Sequence, residues 1–116
     1  MTVIASVNKT NNDPQMDFHL EEKPTGHYCV RVAGNLTFER HRGFLDVVAV
    51  LPPSANALTI DLCQVDYLDS AALGMLVRLR HRFRACRLGL RIRRGSMVDT
   101  VLEVANFGKL FDIKTA

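Results

Sequence analysis

The chain lacks most of what an enzyme or a secreted protein would need. Cys29, Cys63 and Cys86 are odd in number, have no CxxC spacing and sit in apolar runs, which suits reduced thiols in a core better than a disulfide framework. His19, His27, His41 and His81 show no metal-ligand spacing, so no metal site is expected. There is no G-x-S-x-G, no Walker A sequence and no G-x-G-x-x-G. Their absence removes the sequence case for a hydrolase nucleophile or a nucleotide cradle, and no cofactor is expected. No apolar window approaches the length of a membrane span, and the first residues interrupt any signal-peptide run with Asn, Lys, Thr and Asp. The expectation is a soluble, cytoplasmic protein that is not an enzyme and does not engage a membrane.

What remains is a chain of 116 residues, 47% hydrophobic, enough for one domain that buries roughly two-thirds of its unfolded surface. Its net charge is only +3, from 15 basic and 12 acidic residues. More than half of the basic residues fall in one span: Arg78, Arg80, Arg82, Arg84, Arg87, Arg91, Arg93 and Arg94. Such a span could follow the phosphates of a nucleic acid. No aromatic platform accompanies it, so solvated helix and strand surface is the favoured reading, an acidic protein partner comes next and nucleic acid last.

Residues 1–14 show no period and are expected to form a mobile tail, or at most a short extra strand, ahead of a domain over residues 15–116. Met16, Phe18 and Leu20 alternate with Asp17, His19 and Glu21, and Tyr28, Val30 and Val32 alternate with Cys29, Arg31 and Ala33. These are two strands, joined through Glu22-Lys23-Pro24-Thr25-Gly26 as an antiparallel hairpin. Thr37 is the expected N-cap of a helix from Phe38 to about Leu51, stopped by Pro52-Pro53. Phe38, Leu45, Val48 and Leu51 are expected to face the core there, with Arg40, His41 and Asp46 outward. Ala57 to Cys63 alternates as a third strand.

A second helix follows Ser70, with Leu73, Leu76, Leu79, Phe83 and Cys86 inward. Leu88, Leu90 and Ile92 mark a fourth strand. Ser96-Met97-Val98-Asp99 is close to a capping box for a third helix that buries Val98, Val101, Leu102 and Ala105 and ends at Asn106 and Gly108. Leu110 to Ile113 would be a last strand. The order β-β-α-β-α-β-α-β implies an α/β domain on a mixed, mostly parallel sheet with right-handed crossovers.

The most informative stretch joins the third strand to the second helix. Asp69 and Ser70 stand at the mouth of that helix, one residue more than capping needs, and Ala71, Ala72 and Gly74 leave its first turns nearly bare. Gly74 costs roughly 1 kcal/mol relative to Ala, which points either to close approach of another molecule or to tight packing on the chain's own sheet. A phosphate on Ser70 would add about −1.5 to −2 charge where helix amides are free.

The run from Leu58 through Asp69-Ser70-Ala71-Ala72-Leu73-Gly74 resembles the STAS domain family, and within it the bacterial anti-anti-sigma factors. Those proteins carry Asp-Ser, two small residues, an aliphatic residue and Gly. Val32-Ala33-Gly34-Asn35-Leu36 and Ser96 to Phe111 extend the resemblance over most of the chain. It implies a STAS fold whose Ser70 is phosphorylated by a partner that is both anti-sigma factor and serine kinase, and restored by a serine phosphatase, with a response regulator as that phosphatase's candidate carrier. It also implies a partner surface formed by Gly34, Asn35, Leu36, Leu68, Asp69, Ser70, Ala71, Gly74, Met75 and Arg78. Ala71 and Ala72 depart from the Ser or Thr and Gly of many members. The alternative on the same fold is an accessory subunit of a transporter, of the lipid-trafficking type, that docks on an ATPase without phosphorylation.

Overall fold

The computed structural model describes residues 2–8, 17–23, 26–52 and 54–116; Met16, Pro24, Thr25 and Pro53, which entered the sequence reading, lie outside them. The alternating segments become strands as their period demands: β1 (Thr2–Asn8), β2 (Asp17–Lys23), β3 (His27–Leu36), β4 (Ala57–Leu68), β5 (Arg87–Ile92) and β6 (Asp112–Thr115). The helices are α1 (His41–Ala49), α2 (Ser70–Arg82) and α3 (Met97–Val104). Thr2–Asn8 therefore takes the strand that was the lesser expectation for the tail, while residues 9–16 fall outside the described set.

The strands lie side by side in chain order, β1-β2-β3-β4-β5-β6. β1, β2 and β3 pair antiparallel, and β3 through β6 pair parallel. Gly26, with φ at 74°, supplies the left-handed residue of the β2–β3 hairpin. Each parallel step needs a crossover, and crossovers of one hand between successive neighbours put every helix on the same face of the sheet. The core reflects this. Val30, Ile60, Leu62 and Leu90 from the strands form one buried cluster with Phe44 and Val48 of α1, Ala72, Leu76 and Leu79 of α2, and Val98 and Leu102 of α3.

Four expectations need correction. The chain enters α1 through a 3-10 turn over Phe38–Arg40, and Thr37 makes no side-chain cap. The tighter turn advances the helical phase, so Phe44, Val47 and Val48 are buried, whereas Leu45 is 39% and Phe38 61% exposed. β4 runs on to Leu68, five residues past Cys63, because β3 shifts register against it after Arg31 and again at Gly34, whose φ of 94° suits a bulge. The last helix stops at Val104, with Ala105 exposed and Asn106 left-handed at φ 63°. The closing strand is Asp112–Thr115, two residues later than the apolar run suggested, because a second 3-10 turn over Phe107–Lys109 buries Phe107 and Phe111 first.

The sheet also holds a buried acid. Glu21, 6% exposed, takes the Arg31 guanidinium at 2.8 Å on one oxygen, and its other oxygen has no partner among the described residues. The phase of α1 is open to direct test. Phe44→Ala should cost about 3–5 kcal/mol and Leu45→Ala under about 1 kcal/mol in urea denaturation, and the reverse order would put the wrong face of α1 inward.

Candidate partner-binding site

The C-terminal ends of β3 and β4 bring two loops together, and Asp69 is where they join. Its backbone is extended, its N–H donates to the Leu36 carbonyl at 3.4 Å, and α2 begins at the next residue. One carboxylate oxygen accepts the Ala72 N–H of α2 at 2.9 Å, the usual N-cap bond. The other accepts the Phe38 N–H at 3.1 Å, so the same side chain also closes the turn that leads into α1. Thr37, expected to do this, is replaced by a residue 32 positions further along the chain. Each bond joins a backbone amide to a carboxylate, the charge-assisted kind, and helix dipole and cap act in the same direction.

Ser70 is thereby left over. It is the first residue of α2, it is exposed, and its hydroxyl has no hydrogen-bond partner among the described residues. The reading in which Ser70 merely caps the helix is excluded by Asp69, which occupies the cap. Gly74 is resolved just as directly. A Cβ built there meets nothing within 4 Å, so packing on the chain's own sheet does not call for glycine, and the residue is a bare spot one turn along from Ser70 on the same helix face. Arg78 continues that face and is exposed.

The remaining residues of the expected surface divide. Asn35 is exposed beside Tyr67 on the neighbouring strand, Gly34 and Ala71 are half-buried, and Asp69 is half-buried with both oxygens engaged. Leu36, Leu68 and Met75 have side chains 0%, 2% and 7% exposed. Leu36 and Leu68 belong to the core and support the surface from beneath, while Met75, on the inner face of α2, shows only an edge, in the groove between α1 and α2.

Two residues the sequence reading did not assign to the surface flank Asp69 instead. Phe38 is stacked on the His41 ring at a centroid distance of 4.6 Å, and Tyr67 is 46% exposed at the end of β4. For Tyr67 the available signal was its place next to Leu68-Asp69 with Asp66 before it, a pair that breaks the inward alternation. Between α1 and α2 the apolar surface continues as a groove of about 290 Å³ lined by Leu45, Val48, Met75, Arg78 and Arg82 among others.

The arginine span does not form one patch. Arg80 donates to the Leu110 carbonyl at 3.0 Å, Arg93 to the Cys63 carbonyl at 3.1 Å and Arg94 to the Thr115 hydroxyl at 3.3 Å, while Arg82 lies over the Phe83 ring. Arg78 and Arg82 face out from α2, and Arg87 and Arg91 lie across the sheet from it. Among the described residues these arginines form no continuous stripe that could track a phosphate backbone. Burial pushes the thiols of Cys29, Cys63 and Cys86 up, and the Asp61 carboxylate raises Cys63 further through a hydrogen bond, so all three stay protonated at neutral pH. Among the described residues no helix is long and apolar enough to cross a membrane, and no cluster of His, Cys, Asp and Glu could hold a metal ion.

This arrangement has known counterparts. The model of the family described as Mlab, STAS domain, matches residues 20–112. The chain belongs to the STAS domain family. A STAS-domain containing protein of Pseudomonas aeruginosa is 31% identical over 85 residues, which is 72% of this chain and 84% of that one. Among solved structures, an anti-sigma factor antagonist from Mycobacterium paratuberculosis superposes with a TM-score of 0.75 at 20% identity, covering 87% of this chain and 86% of the other. The unphosphorylated form of the anti-sigma factor antagonist SpoIIAA gives 0.66 at 18% identity over 85% and 88% of the two chains. The phosphorylated form of SpoIIAA, a Bacillus cell fate determinant, gives 0.63 at 16% identity over 84% and 91%. The STAS fold expected from the Asp69-Ser70 stretch is therefore the fold of this chain.

The bare spot on α2 of the STAS domain yields a prediction about stability alone. Gly74→Ala should raise the unfolding free energy by about 0.5–1 kcal/mol, since the residue is helical and nothing crowds the added methyl. Urea denaturation of both proteins checks this, and a loss of stability would mean that the domain itself needs the glycine.

Proposed function

We propose that this STAS domain is an anti-sigma factor antagonist in a partner-switching circuit. With Ser70 unmodified it binds an anti-sigma factor that is also a serine kinase, and that partner lets go of its own target. Phosphorylation of Ser70 ends the complex, and a serine phosphatase restores it. The domain carries out no catalysis here, and ATP is bound by the kinase.

The observation that carries this reading is the spare hydroxyl. Asp69 does the structural work of the helix mouth with both oxygens, so Ser70 is free to be modified at little cost to the fold. Its exposure gives a kinase access, and the bare face at Gly74 gives a partner's backbone room to close over the site. Phe38 and Tyr67 supply exposed aromatic area on either side, the residue type that dominates binding energy at protein interfaces. The comparison with SpoIIAA, a protein solved both with and without its phosphate, is consistent with a fold that tolerates that change.

A phosphate at Ser70 would place about −1.5 to −2 charge beside the Asp69 carboxylate. The carboxylate is already committed to the Ala72 and Phe38 amides and cannot turn away without uncapping α2 and freeing the turn before α1. A partner closing over the site must then desolvate two adjacent anions. A penalty of about 2.8 kcal/mol already lowers affinity a hundredfold.

Pull-down with the cognate anti-sigma kinase tests the reading. Ser70→Ala should bind and resist switching, Ser70→Asp should bind about a hundredfold more weakly, and intact mass of the native protein should fall by one phosphate after phosphatase treatment. Equal binding by both variants, with no phosphate on the native protein, would remove the switch and leave the reading as a transporter subunit that docks without modification.

A further inference from the structure

The face of the sheet opposite the helices carries a built feature that the partner site does not use. It is an open trough of about 660 Å³ across β3, β4 and β5 with β6 at its end. Its floor is the row of paired residues Cys29, Thr59 and Gly89, in register across three strands. Exposed positions at the centre of a sheet usually carry β-branched or aromatic residues, whose cross-strand contacts each contribute about 0.2–1 kcal/mol. In this row Thr59 keeps a β-branched side chain and Cys29 is buried, so it is Gly89 on β5 that forgoes the contribution.

Gly89 is the sharpest case. A glycine in a strand interior weakens the strand and marks close approach of a ligand or of another backbone. A Cβ on Gly89 would come within 3.3 Å of the Asp112 carbonyl oxygen and 3.7 Å of the Thr59 hydroxyl. The first is a tight contact that a shift of a few tenths of an ångström relieves. A full side chain there would stand in the trough.

The walls are charged in an uneven way. Arg87 and Arg91 lie two residues to either side of Gly89 on the same face, and both line the trough. Neither guanidinium has a hydrogen bond or ion pair among the described residues, unlike Arg80, Arg93 and Arg94. Each nearby carboxylate has a contact of its own and keeps acceptor capacity toward the trough, Asp61 standing opposite Arg91 in the sheet register. Asp61 accepts the Cys63 N–H at 2.9 Å, and Asp112 lies 4.0 Å from the Lys114 ammonium. Four strand residues at about 3.3 Å each set the two arginine Cα atoms roughly 13 Å apart, a span that two long side chains close above the glycine.

We propose that this trough binds a small organic phosphate, its oxyanion held between Arg87 and Arg91 and its body resting on Gly89 and Thr59. A phosphate monoester, with three terminal oxygens, gives each guanidinium fork acceptors of its own on one compact group. Asp61 and Asp112, as acceptors at the rim, suit hydroxyl groups on the ligand body. The site begins near the N-terminal end of β4, whereas Ser70 follows its C-terminal end, so it stands or falls apart from the phosphoswitch.

The same chemistry could come from a soluble ester or from a lipid headgroup, and two probes separate them. The first is titration of the full chain with glycerol 3-phosphate, read by amide chemical shifts against sodium chloride of equal ionic strength. The second is cosedimentation with phosphatidic acid vesicles against phosphatidylcholine vesicles. Saturable shifts at Thr59, Gly89 and Arg91 are expected with the ester, or selective sedimentation with the anionic vesicles. Replacing Arg87 and Arg91 together by Gln should weaken binding about tenfold for each guanidinium lost, without altering the rest of the spectrum. The responding probe assigns the source. Shifts that match the chloride reference with no selective sedimentation, or binding that the double variant keeps, would overturn the proposal.

Discussion

The side chain of Asp69 lies between two stretches of backbone that are far apart in sequence, and it holds both. Its carboxylate takes the Ala72 amide at the start of α2 and the Phe38 amide in the turn before α1. An N-cap is worth about 1 kcal/mol, and a hydrogen bond to a charged group about 1.5–3 kcal/mol, so this one residue fixes the edge of the domain on which β3, β4, α1 and α2 converge. The consequence reaches beyond stability. Because Asp69 satisfies the helix mouth, the neighbouring serine caps nothing and its hydroxyl is left exposed.

The division of labour continues on a larger scale. Strands in chain order with parallel neighbours force all three helices to one face, which gives a single core and leaves the second face of the sheet to solvent and to small and charged residues. The exposed residues around Ser70 collect at the C-terminal ends of β3 and β4, the usual place for ligands in open α/β sheets. The arginines that form a block in the sequence are distributed by that geometry among structural pins, the outer face of α2 and the far face of the sheet.

Much of this was legible from residue order. Period-two alternation located β2, β3, β4 and β5, and the Ser96-to-Asp99 cap of α3 forms as read, with Ser96 accepting the Asp99 N–H at 3.1 Å and Asp99 reaching back to Gly95. Asp69 and Ser70 were legible as a pair because capping needs only one of them. The phase of α1 was not legible, since the 3-10 turn that sets it depends on an amide bonded to Asp69, 31 residues away. The same long-range bond explains why Phe38 looked like a core residue and is instead at the surface. Likewise, nothing local announced that β4 would continue to Leu68, because the register shifts that allow it belong to its pairing with β3.

Amide hydrogen exchange on the Asp69→Ala protein measures the shared carboxylate most directly. The account predicts that the Phe38 and Ala72 amides, protected together in the parent protein, both lose protection while the amides of Ile60 and Leu90 in the central strands keep theirs. Retained protection at Phe38, or loss spread evenly over the sheet, would contradict the claim that one side chain holds the two loops and frees Ser70.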